Sequence, residues 1–313
     1  MKGKHFKDNS KKVNSSKRYS SSKSNTNFNN RSNSKSNTNS NGRSSSKSNA
    51  NPNSRSGSKR SEKKKKSLYP VFLLISIIIM GICAVYIYRW TQDSKHNEDI
   101  MDLVKETVIE DNKNEDKENN KTPEETINFD KLKEFNSDVV GWIKVNNTNI
   151  DYPVVKCGDN SFYLNHSFDK TYNGQGWPFV DYEVRLDGTD KNITIYGHNI
   201  KDGSMFGSLK KILNEDWYKN SANFNISYIT EEENATYRVF SVYETEKELY
   251  YTNNNFENDA EYQEFLDELK SRSIVDFKVN VNKDDQILTL STCADNNQYR
   301  VVLHAKKVKY IAK

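Results

Sequence analysis

A cysteine and an arginine flank a short polar break between two apolar, β-branched segments in LTLSTCADNNQYRVVLHAKKV, residues 288–308. A cysteine thiolate is a strong nucleophile, and a neighbouring acid or base must move protons if it is to attack a carbonyl and release an amine. If the two segments form a hairpin, Arg300 lies across from Cys293 and could stabilise the resulting oxyanion. On spacing alone, a surface salt bridge is an equally good role for this arginine.

Histidine is the usual proton-transfer partner of a nucleophilic cysteine, and His198 is the best placed of the histidines outside the apolar segment. It ends the strand-like segment NITIYGH and precedes a loop rich in Gly and Asn, a setting from which active-site side chains commonly project. His304 alternates with the apolar residues of its segment, so we expect it to be structural. The other two candidates, His96 and His166, lie in polar segments.

The chain has three cysteines, which limits the roles open to Cys293. Cys83 lies within a long apolar run, which leaves Cys157 as the possible disulfide partner of Cys293. A free, reactive thiol is the alternative that we favour. Because no Cys-x-x-Cys or His-x-x-x-His spacing occurs, we expect no metal site, and no cofactor is predicted.

Charge divides the chain into two unlike parts. Residues 1–66 consist mostly of Ser, Asn, Lys and Arg and hold 19 basic residues against 2 acidic ones, so they carry +17 and the remainder −13 of the net +4. Such a segment cannot bury a core, and we expect it to be disordered. Its aromatic residues are too few to form a base-stacking surface, so we do not expect nucleic-acid binding. Binding to anionic lipid is the alternative to a purely solvated tail.

A membrane-spanning helix is predicted for residues 67–89. Leu68 to Tyr88 is an uncharged run of 21 residues, close to the roughly 20 that span a bilayer as a helix. KRSEKKKK precedes this run and Arg89 alone follows it, so the positive-inside bias predicts a cytoplasmic N-terminus and an extracellular C-terminal part. Because the run follows a long tail, we expect a retained, single-pass anchor in the cell membrane and not a cleaved signal peptide.

Residues 90–125 are acidic and rich in Asn and Lys, and we interpret them as an extracellular stalk.

A single folded domain is predicted for residues 126–313, which are long enough to bury their own core. After GWIKV, the strand-like segments in this domain are rich in Val, Ile, Thr and Tyr and are bounded by polar turns: TNIDYPVV, NITIYGH, ATYRVFSVYET, DFKVNV and QILTLSTC. Two segments break the β pattern, GSMFGSLKKILNEDWYK and ENDAEYQEFLDELKSRS. These features predict a mainly β barrel or sandwich with flanking helices.

The ordered motifs of this domain resemble those of the class B sortases, the membrane-anchored cysteine transpeptidases of Gram-positive bacteria. The resemblance covers most of residues 129–313 and is carried by these segments: GWIKVNNTNIDYPVV, YLNHSFDK, ITIYGHNIKDGSMFGSLKKIL, FENDAEYQEFLDELK and LTLSTC. It implies an eight-stranded closed β-barrel with His198, Cys293 and Arg300 as the catalytic residues. It also implies that Asn165, Tyr196, Tyr251 and Ser291 line the substrate groove.

The resemblance further implies the reaction and its partners. Cys293 would cleave a C-terminal sorting signal after a Thr, through a thioester, and transfer the surface protein to an amine of a peptidoglycan precursor of the lipid II type. The implied sorting signal is of the Asn-Pro-x-Thr or Ser/Pro-Pro-x-Thr type. A sortase that polymerises pilus subunits and a membrane-anchored cysteine hydrolase are the alternatives. A non-catalytic binding module is a further one, and it would need none of the three catalytic residues.

Overall fold

The computed structural model describes residues 67–110, 126–248, 250–293 and 298–312. The basic tail, residues 1–66, for which we predicted disorder, lies outside these ranges. Residues 111–125 of the predicted stalk lie outside them as well, and so does the connection 294–297 between the cysteine and arginine segments.

Ten strands and four α-helices make up the described fold. The strands are β1 (Ile109–Glu110), β2 (Thr126–Ile127), β3 (Val139–Val145), β4 (Asp151–Val155), β5 (Phe179–Val180), β6 (Asn192–Gly197), β7 (Asn225–Ile229), β8 (Glu233–Glu246), β9 (Ile287–Cys293) and β10 (Tyr299–Ala312). The helices are α1 (Tyr69–Val108), α2 (Phe129–Phe135), α3 (Glu215–Tyr218) and α4 (Asp259–Ser271). Strands β3 to β10 close into a barrel in the order β10, β8, β7, β3, β4, β5, β6, β9, which confirms the predicted eight-stranded barrel.

Strand direction decides which residues meet at each end of the barrel. β6 and β9 are parallel neighbours, paired from Asn192 with Ile287 to Gly197 with Thr292. β9 and β10 are antiparallel neighbours that form the hairpin expected from the sequence. Because parallel strands run the same way, the carboxyl ends of β6 and β9 lie together. The residue after β6 therefore lies near the last residue of β9.

The apolar run of β9 is explained by burial on both of its faces. Leu288 and Leu290 point into the barrel core, whereas Ile287 belongs to a second cluster beneath α4. The buried residues of α4 are Tyr262, Phe265, Leu266 and Leu269, the helical spacing that the sequence indicated. The side chain of Asn258 caps this helix by accepting hydrogen bonds from two first-turn N–H groups.

Two other segments differ from the sequence interpretation in detail. GSMFGSLKKILNEDWYK forms a 3-10 helix over Gly207–Leu213 followed by the short α3. DFKVNV, residues 276–281, pairs with no strand, so its assignment as a strand is wrong. Each strand of the closed barrel already has two neighbours, which leaves no free edge for this segment to join. Lys278 also adopts a left-handed backbone with φ of 59°, which interrupts an extended run.

Helix α1 also differs from the expected anchor followed by a stalk. Among the described residues, it is the helix long and apolar enough to cross a membrane, and its apolar first half is exposed. It then continues without a break to Val108, and its second half packs on the domain through buried Asn97, Met101, Val104 and Val108. Residues 97–108 are therefore not a free spacer, because these side chains, spaced three or four apart, form one buried helix face.

His304 on β10 is part of the core, as the sequence predicted. Its ring is fully buried, with Nδ1 2.9 Å from the Thr289 hydroxyl and Nε2 2.9 Å from the Tyr243 hydroxyl. Thr289 donates its own proton to Asn192, so it accepts from Nδ1–H of a neutral imidazole. Burial lowers the pKa of His304 from 6.5 to about 3.

Acidification should destabilise the fold through His304. Its pKa is about 3 when folded and 6.5 when exposed, so between these values the unfolded chain binds a proton that the folded chain does not. The free energy of unfolding is therefore highest above pH 6.5 and falls as the pH is lowered, by roughly 1.4 kcal/mol per pH unit from this group. Urea denaturation between about pH 7 and pH 5 should show a shallower fall for His304→Gln than for the wild type. Equal slopes would contradict the assignment.

Candidate active site

Three neighbouring strands bring His198, Cys293 and Arg300 to one end of the barrel. The parallel pairing of β6 with β9 ends at Gly197 and Thr292, so His198 and Cys293 follow the same pair on adjacent strands. In the β9–β10 hairpin, Arg300 is the residue paired with Cys293. Sequence positions up to a hundred residues apart thus become neighbours in the sheet.

The imidazole of His198 is held by the main chain of a distant loop. Its Nε2 lies 2.7 Å from the carbonyl oxygen of Leu164. A carbonyl only accepts, so Nε2 carries the proton in this contact and Nδ1 is left as the second ring nitrogen. This main-chain contact orients the ring and leaves Nδ1 as the nitrogen that can accept or donate a proton elsewhere.

A glycine lets the same loop pass directly against the His198 ring. Gly176 has φ of +61°, and a Cβ built on it would lie 2.9 Å from Cδ2 of His198 and 2.4 Å from the carbonyl oxygen of Tyr163. A larger residue would therefore meet both unfavourable backbone strain and main-chain overlap. Sequence reasoning missed both Leu164 and Gly176. A Gly before Trp in NGQGWPF was the available signal for Gly176, whereas a carbonyl contact has no residue-specific signature.

Tyr196, expected to line the substrate groove, is half-buried beside His198 in the chain. Its hydroxyl donates to a carboxylate oxygen of Asp181 at 2.7 Å, and Asn160 donates to the same oxygen at 3.1 Å. Burial, together with the Asp181 charge, raises the pKa of Tyr196, so the phenol stays protonated. Asp181 is itself buried and was missed by sequence reasoning, although an Asp directly after the buried β5 was a visible signal.

Tyr251 and Ser291 contact each other below the end of β9. Their hydroxyl groups are 2.9 Å apart, and both side chains are buried. Ser291 is also paired with Tyr196 across the β6–β9 ladder. Three of the four residues expected in the substrate groove are thus contiguous, but Tyr251 and Ser291 pack beneath the surface in this structure. The fourth, Asn165, is exposed and follows Leu164, the residue that contacts His198.

The second cysteine outside the apolar run is not part of a disulfide. Cys157 follows the end of β4 as a free, half-buried thiol whose Sγ lies 3.2 Å from the carbonyl oxygen of Asp159. This excludes the Cys157–Cys293 disulfide considered from the sequence. Cys293 is the last residue of β9, and its role as a reactive thiol stays a prediction.

A surface cavity of about 810 Å³ lies away from this site. Its lining includes Asp190 and Lys191 just before β6, and Gln286 just before β9, so it opens at the opposite strand ends from His198 and Cys293. Lysines and carboxylates are mixed along its walls. The candidate site is therefore defined by the pairing of β6, β9 and β10 and not by this cavity.

Comparison with known proteins identifies the kind of protein that carries this arrangement. A family model described as the sortase domain matches residues 143–308. Sortase B of Listeria monocytogenes is 35% identical over 219 residues, which cover 69% of this chain and 87% of that protein. The crystal structure of sortase B from Bacillus anthracis in complex with AAEK1 is 33% identical, with a TM-score of 0.60, over 70% of this chain and 99% of that one. A crystal structure of sortase B complexed with Gly3 is 36% identical, with a TM-score of 0.55, over 58% of this chain and 85% of that one.

Proposed function

The chain belongs to the sortase family, and from this premise we propose which of its residues perform each step of the sortase reaction. Its relatives and structural neighbours are sortase B proteins, so it is a class B sortase. The enzyme is a cysteine transpeptidase that anchors proteins to the cell wall through their sorting signals. The assignment of steps to His198, Cys293 and Arg300 is our proposal.

In the first half of the reaction, the thiolate of Cys293 attacks the carbonyl carbon of the threonine in the sorting signal. A C–S bond forms, and the peptide C–N bond after the threonine breaks. His198 gives a proton to the departing nitrogen, so the C-terminal part of the substrate leaves as an amine. The remainder of the substrate stays on Cys293 as a thioester.

In the second half, an acceptor amine attacks the thioester carbonyl. His198 takes the proton that the amine loses, a new amide C–N bond forms, and the C–S bond breaks to regenerate the thiolate. Because Nε2 of His198 is engaged by the Leu164 carbonyl, we assign both proton transfers to Nδ1.

Arg300 supports both halves by binding the substrate carbonyl oxygen as it becomes an oxyanion. A guanidinium stays charged at all working pH values and offers a fixed fork of donors. The observation that carries the proposal is the strand register, since Arg300 is paired with Cys293 and the two residues before His198 and Cys293 are paired with each other.

An amine-dependence assay distinguishes transfer from hydrolysis. No Asp or Glu adjoins Cys293 or His198 in the sequence to activate water, and an amine attacks a thioester more readily than water does. The purified full chain should cleave a sorting-signal peptide slowly alone and form an amide product when oligoglycine, diaminopimelate or hydroxylamine is added. Mass spectrometry should detect both product types. Fast cleavage without amine, and no amide product at millimolar amine, would favour the cysteine hydrolase.

We propose a peptidoglycan precursor of the lipid II type as the natural source of the amine. A solved sortase B relative is complexed with Gly3, a peptide with a free amine, which supports an amine-bearing peptide as acceptor. The donors would be surface proteins with sorting signals of the Asn-Pro-x-Thr or Ser/Pro-Pro-x-Thr type. A pilin lysine would replace the precursor amine if the enzyme polymerises pilus subunits.

We also propose that α1 anchors the enzyme in the cell membrane, with residues 1–66 in the cytoplasm and the catalytic domain outside. The support is the apolar segment of α1, whose side chains are exposed in the structure, and the asymmetry of basic residues around it. This assignment places residues 67–89 in the bilayer and the catalytic domain, residues 126–313, where sorting signals are exported.

Protease accessibility should reveal this topology. Protease added to intact cells stripped of their wall should remove the segment after Arg89 and spare the N-terminal tail, because the bilayer shields only the cytoplasmic side. Immunoblots against tags at each terminus would follow both parts, and detergent-permeabilised cells would serve as the control for tail cleavage. A protected C-terminal tag would contradict the proposed orientation.

A further inference from the structure

Helix α1 connects the proposed membrane segment to the catalytic domain as one continuous helix, with no intervening loop. The uncharged run ends at Tyr88, and the same helix continues to Val108. At 1.5 Å per residue, the continuation is about 30 Å long. Residues 71–108 contain no proline, the commonest cause of a helix kink, so the continuation can act as a stiff rod.

The rod is fixed to the domain by buried polar contacts as well as apolar ones. The side chain of Asn97 is 4% exposed, and its Oδ1 accepts from Ser167 at 2.5 Å and from Asn173 at 3.1 Å. Its Nδ2 lies 3.4 Å from the carbonyl oxygen of Gly176. A buried amide whose oxygen and nitrogen both have partners favours one docked geometry, because losing these contacts would leave buried polar atoms without partners.

The segment to which α1 docks is the one that contacts His198. Asp93, one turn before Asn97, accepts from the N–H of Gly174 at 3.1 Å. Gly176, two residues further, lies against the His198 ring. Ser94 donates to Asp202, which lies in the loop that follows His198. The first helical turns beyond the apolar run thus hold the loops on both sides of the catalytic histidine.

The position of these contacts along α1 sets their distance from the membrane. Asp93 lies four residues beyond Arg89 and Asn97 eight, so they are about 6 Å and about 12 Å along the helix axis from it. His198 contacts Gly176, whose carbonyl meets Asn97. If Arg89 marks the membrane surface, His198 lies on the order of 10 Å above it.

We propose that α1 is a rigid spacer that holds His198 on the order of 10 Å above the membrane, and that this height selects substrates held at the membrane. The substrates that this height would select are the sorting signals and the acceptor amine of the proposed function when they are held at the membrane surface. The part of this proposal that concerns substrate selection rests on the proposed function of the site. The part that concerns a rigid spacer rests on the continuity of α1 and on its contacts with the domain.

The height can be changed without altering the docking contacts. Seven helix-forming residues inserted between Thr91 and Gln92 would lengthen the rod by about 10 Å and rotate it by only about 20°. Seven Gly and Ser residues at the same place are the matched control, because a flexible insertion lets the domain return to its original height. Both variants retain every docking residue from Asp93 onward.

Activity is measured in vesicles that contain the full chain and a sorting signal followed by an apolar helix. The helical insertion should lower cleavage of this membrane-held signal at least about tenfold, because enzyme and signal no longer meet at one height, while cleavage of the soluble peptide stays within about twofold. The flexible insertion should restore most of the membrane-held rate. An unchanged membrane-held rate in the helical variant would overturn the proposal. A wild-type chain that fails on the soluble peptide would instead contradict the proposed function.

A depth measurement tests the spacer without activity. In a chain with Cys83, Cys157 and Cys293 replaced by alanine, single spin labels are placed at Tyr172→Cys, in the loop held near Asp93, and at Glu134→Cys, on α2 near the far end of α1. Lipids with paramagnetic head groups should relax the label at 172 more strongly than the label at 134, and the helical insertion should remove that difference. Equal relaxation of the two labels in the uninserted chain would refute the rigid spacer.

Discussion

Cys293→Ala should abolish cleavage of the sorting-signal peptide and its transfer to an amine together. Both half-reactions pass through a thioester on this residue, and alanine offers no nucleophile, so we expect a loss of at least about 10⁴-fold in kcat. Product formation by chromatography and mass spectrometry measures the loss. In the wild type, mass spectrometry should detect the acyl adduct on the peptide that contains Cys293.

The other cysteine of the catalytic domain provides the matched control. Cys157 is a free thiol at the end of β4 and takes no part in the proposed reaction. Cys157→Ala should therefore retain activity within a few-fold and should still form the acyl adduct on Cys293. If the two variants were equally inactive, Cys293 would lose its assignment as nucleophile.

Arg300→Lys should lower kcat/KM by about 10² to 10³, although it keeps the positive charge. The guanidinium presents a fixed fork of donors to the carbonyl oxygen, whereas an ammonium is a single, mobile point of charge. The expected loss is in transition-state stabilisation, so kcat should fall more than KM rises. Steady-state kinetics with the peptide and a saturating amine separate the two parameters.

Arg238→Lys controls for the general effect of replacing a strand arginine. Arg238 lies on β8, where its guanidinium donates to Ser221 and Asn225 and stacks on the ring of Phe224. Its replacement should leave kcat within about twofold because these contacts are remote from the substrate. A comparable loss in both variants, or full activity of Arg300→Lys, would favour the surface salt-bridge role for Arg300.

Much of the fold follows from local patterns in the sequence. The helical spacing of Tyr262, Phe265 and Leu269 placed α4, and the β-branched run before Cys293 placed β9. Segment 276–281 has equally good strand composition but pairs with nothing, because pairing depends on a free neighbour and not on composition. In the closed barrel every strand already has two neighbours, so no strand edge is left for this segment to pair with.

The candidate site likewise has residues that the sequence predicted and contacts that only the folded structure revealed. His198, Cys293 and Arg300 were predicted from residue type and from the resemblance to class B sortases, because the chemistry they could perform depends on their side chains. The Leu164 carbonyl and the close approach of Gly176 were not, because main-chain contacts between distant segments leave no pattern in the sequence. The docking of Asn97 was missed for a related reason, as a polar residue in an acidic segment resembles a solvated one.

The sequence by itself thus predicted the candidate reactive residues, a helix long and apolar enough to cross a membrane, and the class of fold, because each depends on side-chain chemistry or on apolar periodicity within a short stretch. Tertiary structure alone decided which strands are neighbours, and therefore that His198 and Cys293 follow one ladder pair and that Arg300 faces Cys293. It also decided that α1 packs, through Asp93 and Asn97, against the loop that contacts His198. These relations are set by the closure of the barrel and by buried hydrogen bonds between residues as much as a hundred positions apart, and such long-range terms act only once the chain has folded.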